Sequence, residues 1–241
     1  MSKQKTRKKS IKEKPVMKKL SKEEKLKRRR RQVRIERIIL GTVLLIVLLG
    51  LGIGLKSLLP GIIGRDSGKK DYANVPMPEI DEQLLTINEY SRPGLAVGTI
   101  NGVVIHYTAN PGSTAQNNRD YFENLKDSHL TKVSSNFIVG LEGEIIQCVP
   151  VNEMAYASNS RNSDTVSIEC CHPDVTGKFT DATYQSLVQL TAWLCSQFGL
   201  SEESVIRHYD VTEKICPKYF VEHEDAWMTF KEDVGAVLRR G

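Results

Sequence analysis

The sequence RHYDVTEKICP occupies residues 207–217, and VVIHYTAN occupies residues 103–110. The first stretch places His208 eight residues before Cys216, which is not the spacing of a zinc finger, and the second supplies a single upstream histidine, His106. Catalytic zinc sites typically take three protein ligands and leave a fourth position for water. His106, His208 and Cys216 supply such a set. The alternative, from the residues alone, is a strand-end histidine and a buried thiol.

Both candidate histidines follow or end β-rich runs. GVVIHYT at 102–108 is bounded by Asn-Gly and Asn-Pro-Gly, and its alternation places His106 near the carboxyl end of a strand. A short strand at 205–207 then leads directly into His208. In open α/β sheets, such strand ends face the ligand crevice. The pattern therefore predicts His106 near the carboxyl end of one strand and His208 directly after another, and a structural strand histidine is the alternative for each taken alone.

The rest of the body alternates between helical and strand patterns. A hydrophobic repeat predicts a first helix that is capped by Ser113 or Thr114 and buries Ala115, Tyr121, Phe122 and Leu125. Apolar runs around Glu142-Gly143 predict a β-hairpin. The remaining predicted elements are the hairpin strands 134–141 and 144–149, a strand over 165–171, and helices over 180–198 and 224–240.

Four segments between about Pro93 and Val234 carry a resemblance to a known family. They are VVIHYTANPGSTAQNNRDYF at 103–122, SSNFIVGLEGEIIQCVP at 134–150, NSRNSDTVSIECCHPD at 159–174 and RHYDVTEKICPKYF at 207–220. These segments resemble the zinc-dependent N-acetylmuramoyl-L-alanine amidases of the type 2 amidase family, which is related to phage amidase lysozymes and peptidoglycan recognition proteins. The resemblance implies an α/β fold, with a mixed central β-sheet flanked by helices.

The resemblance also implies a reaction and a cofactor. Enzymes of this family cut the amide between the lactyl group of N-acetylmuramic acid and the L-alanine of the stem peptide. Their zinc ligands fall here on His106, His208 and Cys216, so Zn²⁺ is the expected cofactor and peptidoglycan the expected substrate. Relatives that recognise peptidoglycan without cutting it typically lack the cysteine, and a wall-binding module of the same fold is therefore the main alternative.

Two charged residues are candidates for the chemistry. Glu169 lies among apolar residues in the strand TVSIECC, where a carboxylate is costly to bury unless it is paired or functional. In the family, a glutamate at this strand position points toward the reacting water, which implies that Glu169 is the general base. Lys214 stands two residues before Cys216, as in the family, and is expected to stabilise the oxyanion.

Further polar residues are candidate substrate contacts. They are Asn136, Tyr156, Asn159 and Arg161, the last three in the polar loop NEMAYASNSRN at 152–162, which is also consistent with an ordinary surface loop. The tyrosine that assists catalysis in the phage enzymes is absent, because Ser135-Asn136 stands at that position. His172 matches no family ligand and is expected to lie at a strand end or behind the ligands. No cysteine spacing requires a disulfide, although one remains open outside the cytoplasm.

Charge and hydropathy divide the chain into unequal parts. Residues 1–37 hold 18 Lys and Arg against 4 Glu, a net charge of +14, so the net +5 of the whole chain leaves −9 for residues 38–241. Ile38 to Leu55 carries no charge over 18 residues, which as a helix would span roughly 27 Å, close to the thickness of a bilayer core. A cleaved signal peptide is the alternative, but no clear cleavage pattern follows.

These features predict four regions. They are a basic cytoplasmic arm at 1–37, a transmembrane signal anchor at 38–59, an extracytoplasmic linker at 60–92, in which 80–90 has the option of a short helix, and a zinc amidase domain at 93–241. The excess of Lys and Arg before the span places the N-terminus in the cytoplasm and the body outside, facing the cell wall. Because the basic run abuts the span, anionic lipid rather than nucleic acid is its expected partner. A protein whose basic arm is the working part would leave the His-His-Cys set unexplained.

Overall fold

Six strands form one mixed β-sheet in the computed structural model, which describes residues 74–240. The strands follow the spatial order β1-β4-β3-β5-β2-β6, and every neighbouring pair is parallel except β3 and β4. This arrangement confirms the predicted mixed α/β fold. The strands are β1 (Asp81–Glu82), β2 (Gly102–Tyr107), β3 (Phe137–Val139), β4 (Ile145–Gln147), β5 (Thr165–Cys170) and β6 (Val205–Arg207).

Residues 74–240 contain five α-helices, and the three longest cover the two faces of the sheet. The five helices are α1 (Ala115–Ser128), α2 (Asp181–Phe198), α3 (His208–Thr212), α4 (Lys218–Glu222) and α5 (Glu224–Arg240). On one face, α2 and α5 enclose a core that includes Ile105, Ile168 and Phe230. On the other face, α1 packs against β3 and β4, where Phe122 and Leu125 meet Ile138. The second face of β5, β2 and β6 is therefore left to the loops that form the site.

Local sequence signals explain where several of these elements begin and end. The Thr114 hydroxyl accepts a hydrogen bond from the Asn117 backbone N–H at 3.1 Å and caps α1, while Gly199, at φ 66°, ends α2. Gly143 turns the β3–β4 hairpin at φ 86°, and a Cβ there would lie 2.9 Å from the Ala182 carbonyl oxygen. Only glycine meets both requirements.

The structure corrects three details of the predicted elements. Tyr121, expected in the buried stripe of α1, is 47% exposed, because the ring lies on the solvent side of the helix beside Phe122. The hairpin strands are shorter than predicted, since hydrogen bonds of Asn136 replace the strand ladder before Phe137. The short helices α3 and α4 were not predicted, because a five-residue helix leaves too short a periodic signal.

The folded domain also begins before its predicted boundary at residue 93. Val75 and Leu85 are 2% and 1% exposed, and the strand β1 pairs with β4 where a linker or short helix was predicted. The Arg92 guanidinium binds Glu153 at 2.8 Å and ties this segment to the body. Within residues 74–240, no helix combines the length and apolarity needed to cross a bilayer. The predicted arm and transmembrane span, at 1–37 and 38–59, lie outside the described residues.

Candidate metal centre

Three buried side chains converge at the carboxyl edge of the sheet. The potential ligand atoms of His106, His208 and Cys216 all lie within 4.8 Å of one another. The Cys216 Sγ is 3.8 Å from the His106 Nδ1, and the two imidazole centroids are 4.7 Å apart. All three residues are less than 8% exposed. The structure therefore brings together the three residues that the sequence singled out, although they span 111 positions of the chain.

The strand order explains this convergence. The strands β5, β2 and β6 are adjacent and parallel, so their carboxyl ends lie at one edge of the sheet. His106 pairs in register with Glu169 of β5, while Ile105 pairs with Arg207, which brings His208 alongside as the next residue. The chain returns through α3, and the Tyr209 backbone N–H donates to the Cys216 carbonyl at 2.9 Å, which places the thiol over the same edge.

Burial keeps both imidazoles neutral in the metal-free protein. Burial, followed by the charges of His208 and Lys214, lowers the pKa of His106 well below its ordinary value of 6.5. Burial and Lys214 likewise lower the pKa of His208. Burial raises the pKa of the Cys216 thiol to about 12, and a bound divalent cation would reverse this effect. Neutral imidazole is the form that ligates a metal.

Glu169 lies beside the ligand set without a partner of its own. Its residue is partly exposed, but its Oε2 is buried and makes no hydrogen bond within residues 74–240. Burial raises its pKa to about 8, and the Lys214 ammonium opposes that rise. A carboxyl group with one buried, unpaired oxygen next to two imidazoles and a thiol is costly to a fold and is typical of a functional site.

The pKa of Glu169 predicts a pH-dependent stability in the metal-free protein. Since the folded value of about 8 lies above the ordinary 4.5, the folded chain keeps a proton that the unfolded chain loses between those pH values. Stability from this group is complete below pH 4.5 and is lost as the pH rises toward 8. Relative to Glu169→Gln, wild type should lose about 1.4 kcal/mol of unfolding free energy per pH unit across that window.

Urea unfolding of chelator-treated wild type and Glu169→Gln, compared at pH 5, 6, 7 and 8, measures this difference. Using the difference removes titrations that the two proteins share, including those of the histidines. A difference that stays constant with pH would show that Glu169 is ionised in the folded protein.

Lys214 lies on the exposed loop between α3 and Cys216. Its positive charge lowers the pKa of both histidines, of Glu169 and of the Cys216 thiol, so the ammonium acts on every group of the set. The loop turns at Glu213, which has a left-handed φ of 63°. An exposed cation whose charge acts on every one of these groups is suited to meet negative charge that develops on a substrate.

Two residues of the loop between β4 and β5 contact the Nε2 atoms of the two histidines. The His106 Nε2 lies 3.1 Å from the Ser158 Oγ, and the His208 Nε2 lies 3.0 Å from the Asn159 Oδ1. Asn159, which was predicted as a substrate contact, is exposed, and its amide oxygen also contacts an imidazole. Sequence reasoning missed Ser158 entirely, because its partner lies 52 residues away and no local pattern marks it.

The positions of Asn136 and Arg161 do not fit their predicted role as substrate contacts. Asn136 is 1% exposed, and its amide bonds to Ser167 on β5 and to three carbonyls of residues 149–153. It is a buried connection between β3, β5 and the following loop. Arg161 pairs with Asp164 at 2.8 Å and lies next to Gly102, at the amino end of β2 and thus the edge opposite to His106.

Tyr156 remains a surface residue near the centre. Its backbone is bonded twice to Ser134, at 3.0 and 3.1 Å, which fixes the start of the loop that reaches Ser158. The exposed Lys132 ammonium lies 5.9 Å from the centre of its ring and 5.7 Å from that of Tyr90. Two aromatic rings and an ammonium thus form a surface cluster at the start of the loop that reaches Ser158.

The other histidine and the other thiols lie outside the ligand set. His172 is 1% exposed, stacks on Tyr107 with centroids 5.1 Å apart, and places Nδ1 2.7 Å from the Asp174 carbonyl oxygen. This position at the end of β5 agrees with the strand-end role expected of it. All five cysteines are buried and free, so no disulfide links them.

The donor set fits a zinc ion. Two neutral imidazoles and one thiol are ligands that zinc prefers, and three protein ligands leave one position open. Tetrahedral zinc requires its ligand atoms to be roughly 3.3 to 3.6 Å apart. The Cys216 Sγ and the His106 Nδ1 are 3.8 Å apart, and all three ligand atoms lie within 4.8 Å of one another. Small rotations of the side chains would bring these atoms to the distances that zinc requires. The orphaned Oε2 of Glu169 would give the open side a proton acceptor, because the positive charge of a bound ion would lower the raised pKa of this carboxyl group.

Comparison with known proteins identifies similar chains. Residues 96–219 match the Amidase_2 family, described as N-acetylmuramoyl-L-alanine amidase. The chain is 34% identical to the amidase CwlL of Bacillus licheniformis, covering 67% of this chain and 48% of that protein, and 31% identical to the amidase BlyA of Bacillus subtilis, covering 67% and 48%. The chain thus spans about half the length of these curated relatives. The solved catalytic domain of XlyA is 27% identical, with a TM-score of 0.56, covering 66% of this chain and 100% of that domain.

Proposed function

This chain belongs to the N-acetylmuramoyl-L-alanine amidase family Amidase_2, and on that premise we propose that it is a zinc-dependent amidase that hydrolyses the bond between N-acetylmuramic acid and L-alanine in peptidoglycan. The observation that carries the proposal is the convergence of His106, His208 and Cys216 within 4.8 Å, with the unpartnered Glu169 beside them. The presence of Cys216 favours hydrolysis over the alternative of a wall-binding module.

His106, His208 and Cys216 would hold the ion at the carboxyl edge of the sheet. When bound, zinc supplies Lewis-acid activation of water at neutral pH and of the scissile carbonyl. The three residues come from β2, α3 and the loop after α3, and all are buried by the fold before any ligand binds. This preorganisation means that little conformational entropy is lost when the site is loaded.

Glu169 would accept the proton of the attacking water and return it to the departing amine of L-alanine. Because Glu169 stands in register with His106 on the adjacent strand, the same carboxylate would lie next to the metal ligands in both steps. The Lys214 ammonium would stabilise negative charge on the carbonyl oxygen as the tetrahedral state forms. Lys214 is exposed to solvent, so its ammonium is accessible to a substrate.

Tyr156, Tyr90 and Lys132 would contact the glycan or the stem peptide beside the cut bond. Tyr156→Ala and Lys132→Ala should each raise KM roughly 3- to 10-fold with little change in kcat, because an aromatic or cationic contact away from the reacting atoms contributes uniform binding. Steady-state kinetics on a defined muropeptide measure this split. Tyr121→Ala, at an exposed tyrosine on α1, is the matched control, and an equal effect there would remove the assignment.

A digest of purified peptidoglycan tests the proposed reaction. Mass spectrometry of the products should show free stem peptides that begin with L-alanine and glycan strands that retain intact lactyl groups. A chelator should stop their release, and added zinc should restore it. Binding to peptidoglycan without release of peptides would instead favour the wall-binding module.

We further propose that residues 38–59 anchor the domain in the cell membrane, with the basic arm at 1–37 in the cytoplasm against anionic lipid. The support is the uncharged 18-residue run and the basic residues that precede it. The full chain should fractionate with membranes and resist extraction by high salt or carbonate, and protease added outside intact spheroplasts should degrade the body. Release by salt alone would contradict an anchored chain.

A further inference from the structure

Consecutive residues of one loop reach the outer nitrogens of both candidate ligand histidines. The Ser158 Oγ is 3.1 Å from the Nε2 of His106, and the Asn159 Oδ1 is 3.0 Å from the Nε2 of His208. Within residues 74–240, the ring nitrogens of the two histidines make one further contact, between the His106 Nδ1 and the Cys216 Sγ.

The chemistry of these contacts selects the tautomer of His208 and permits the same tautomer in His106. An amide oxygen only accepts a hydrogen bond, so the His208 Nε2 carries the proton and its Nδ1 keeps the lone pair. In His106, the Ser158 Oγ faces Nε2 and the Cys216 sulfur faces Nδ1 at 3.8 Å; a hydroxyl and a thiol can each donate or accept, so these contacts allow Nε2 to donate to Ser158 while Nδ1 keeps its lone pair. In this tautomer, the Nδ1 of each ring keeps its lone pair and can bind a metal.

The loop itself is held by contacts that do not involve the histidines. The Asn162 Oδ1 accepts hydrogen bonds from the backbone N–H groups of Ala157 and Ser158. Ser158 is 1% exposed, and Asn159 has a left-handed φ of 52°, a conformation that asparagine adopts more readily than most residues. A short 3-10 turn, Asn159–Arg161, follows. The two oxygen atoms are thus fixed before a metal binds.

We propose that Ser158 and Asn159 are positioning residues that lock both histidines in the Nδ1-ligating tautomer, so that one loop sets the orientation of two metal ligands from different elements, β2 and α3. This inference rests on the proposed zinc site. Hydrogen bonds to the remote nitrogen of a ligating histidine fix its orientation and raise its basicity, and losing such a partner typically weakens metal affinity about 10- to 100-fold.

The test uses Ser158→Ala, Asn159→Leu and Asn159→Asp in the full chain. Ser158→Ala and Asn159→Leu should each weaken zinc binding about 10-fold or more in competition with a chromophoric chelator. Asn159→Asp keeps the acceptor oxygen and should restore most of the affinity that Asn159→Leu loses. Ser160→Ala, at an exposed serine of the same loop, is the matched control and should bind zinc like wild type.

A second readout follows the tautomers directly. In ¹⁵N NMR spectra of the metal-free protein, wild type should show both histidines protonated at Nε2, whereas Ser158→Ala should show a tautomer mixture at His106 alone and Asn159→Leu a mixture at His208 alone. Far-UV circular dichroism checks that each variant is folded. Unchanged zinc affinity together with unchanged tautomers in both variants would overturn the proposal.

The two readouts also separate this proposal from the proposed function. If wild type binds no zinc, the zinc amidase assignment fails, while the tautomers of the metal-free protein still decide whether the loop positions the histidines. If wild type binds zinc and the variants bind it equally well with their tautomers intact, the loop has no positioning role.

Discussion

Cys216→Ser should abolish stable zinc binding and with it the amidase activity. The thiolate is one of only three protein ligands, and a serine hydroxyl stays protonated and binds zinc poorly. We expect zinc affinity to fall by more than about 100-fold, beyond the loss typical of an outer-shell change, and kcat/KM to fall by at least about 10³-fold. Metal analysis after dialysis and turnover of a defined muropeptide measure the two losses.

Cys148→Ser is the matched control for this substitution. Cys148 is also fully buried and free, but it lies among the residues under α1 and away from the sheet edge that holds the histidines. The same loss of a buried thiol there should lower stability while leaving the zinc content at one per chain. If Cys216→Ser retained zinc and turnover, the sulfur would be a packing group, which was the alternative that the sequence left open.

The ligand set was predictable because its residue types are rare and chemically specific. Five histidines and five cysteines occur in 241 residues, and the run at 207–217 places one of each next to a predicted strand. The register was not predictable in the same way. Only the parallel pairing of β2 with β5 and β6 shows that His106, Glu169 and His208 share an edge, and such pairing depends on contacts distant in sequence.

The loop residues mark where sequence reasoning fails. Asn136, Asn159 and Arg161 are polar residues near strand ends, and a pattern of polar loop residues does not show which way each side chain points. Their partners decide it: Asn136 bonds to Ser167, Asn159 to His208, and Arg161 to Asp164. Two of these three partners lie more than 30 positions away, so local sequence carries no signal for them.

The start of the folded domain was predicted too far along the chain, at residue 93, for a related reason. Residues 74–92 are polar and contain two prolines, which is typical of a linker. Two apolar residues of this segment, Val75 and Leu85, are nevertheless almost fully buried, whereas Met77 and Ile87 are 63% and 64% exposed. Isolated apolar residues give no periodicity, and a two-residue strand such as β1 is too short to be detected.

Glu169→Gln should keep zinc and lose turnover, which separates the proton-transfer role from metal binding. The amide is nearly isosteric with the carboxyl group, but it cannot accept a proton at neutral pH, so kcat should fall by about 10²- to 10⁴-fold. Zinc content should remain at the wild-type level, because Glu169 is not one of the three converging ligands. Glu153→Gln, at a partly buried carboxylate paired with Arg92, is a control for loss of a carboxylate elsewhere in the domain.

The two active-site variants are expected to differ in zinc content, and comparing them separates metal binding from proton transfer. Cys216→Ser removes metal and turnover together, whereas Glu169→Gln removes turnover alone, and no folding defect produces both results. If Glu169→Gln hydrolysed muropeptide at the wild-type rate, another group would have to accept the proton of the attacking water. The buried Oε2, which has no hydrogen-bond partner among residues 74–240, would then need a structural explanation that the surrounding apolar strand residues do not supply.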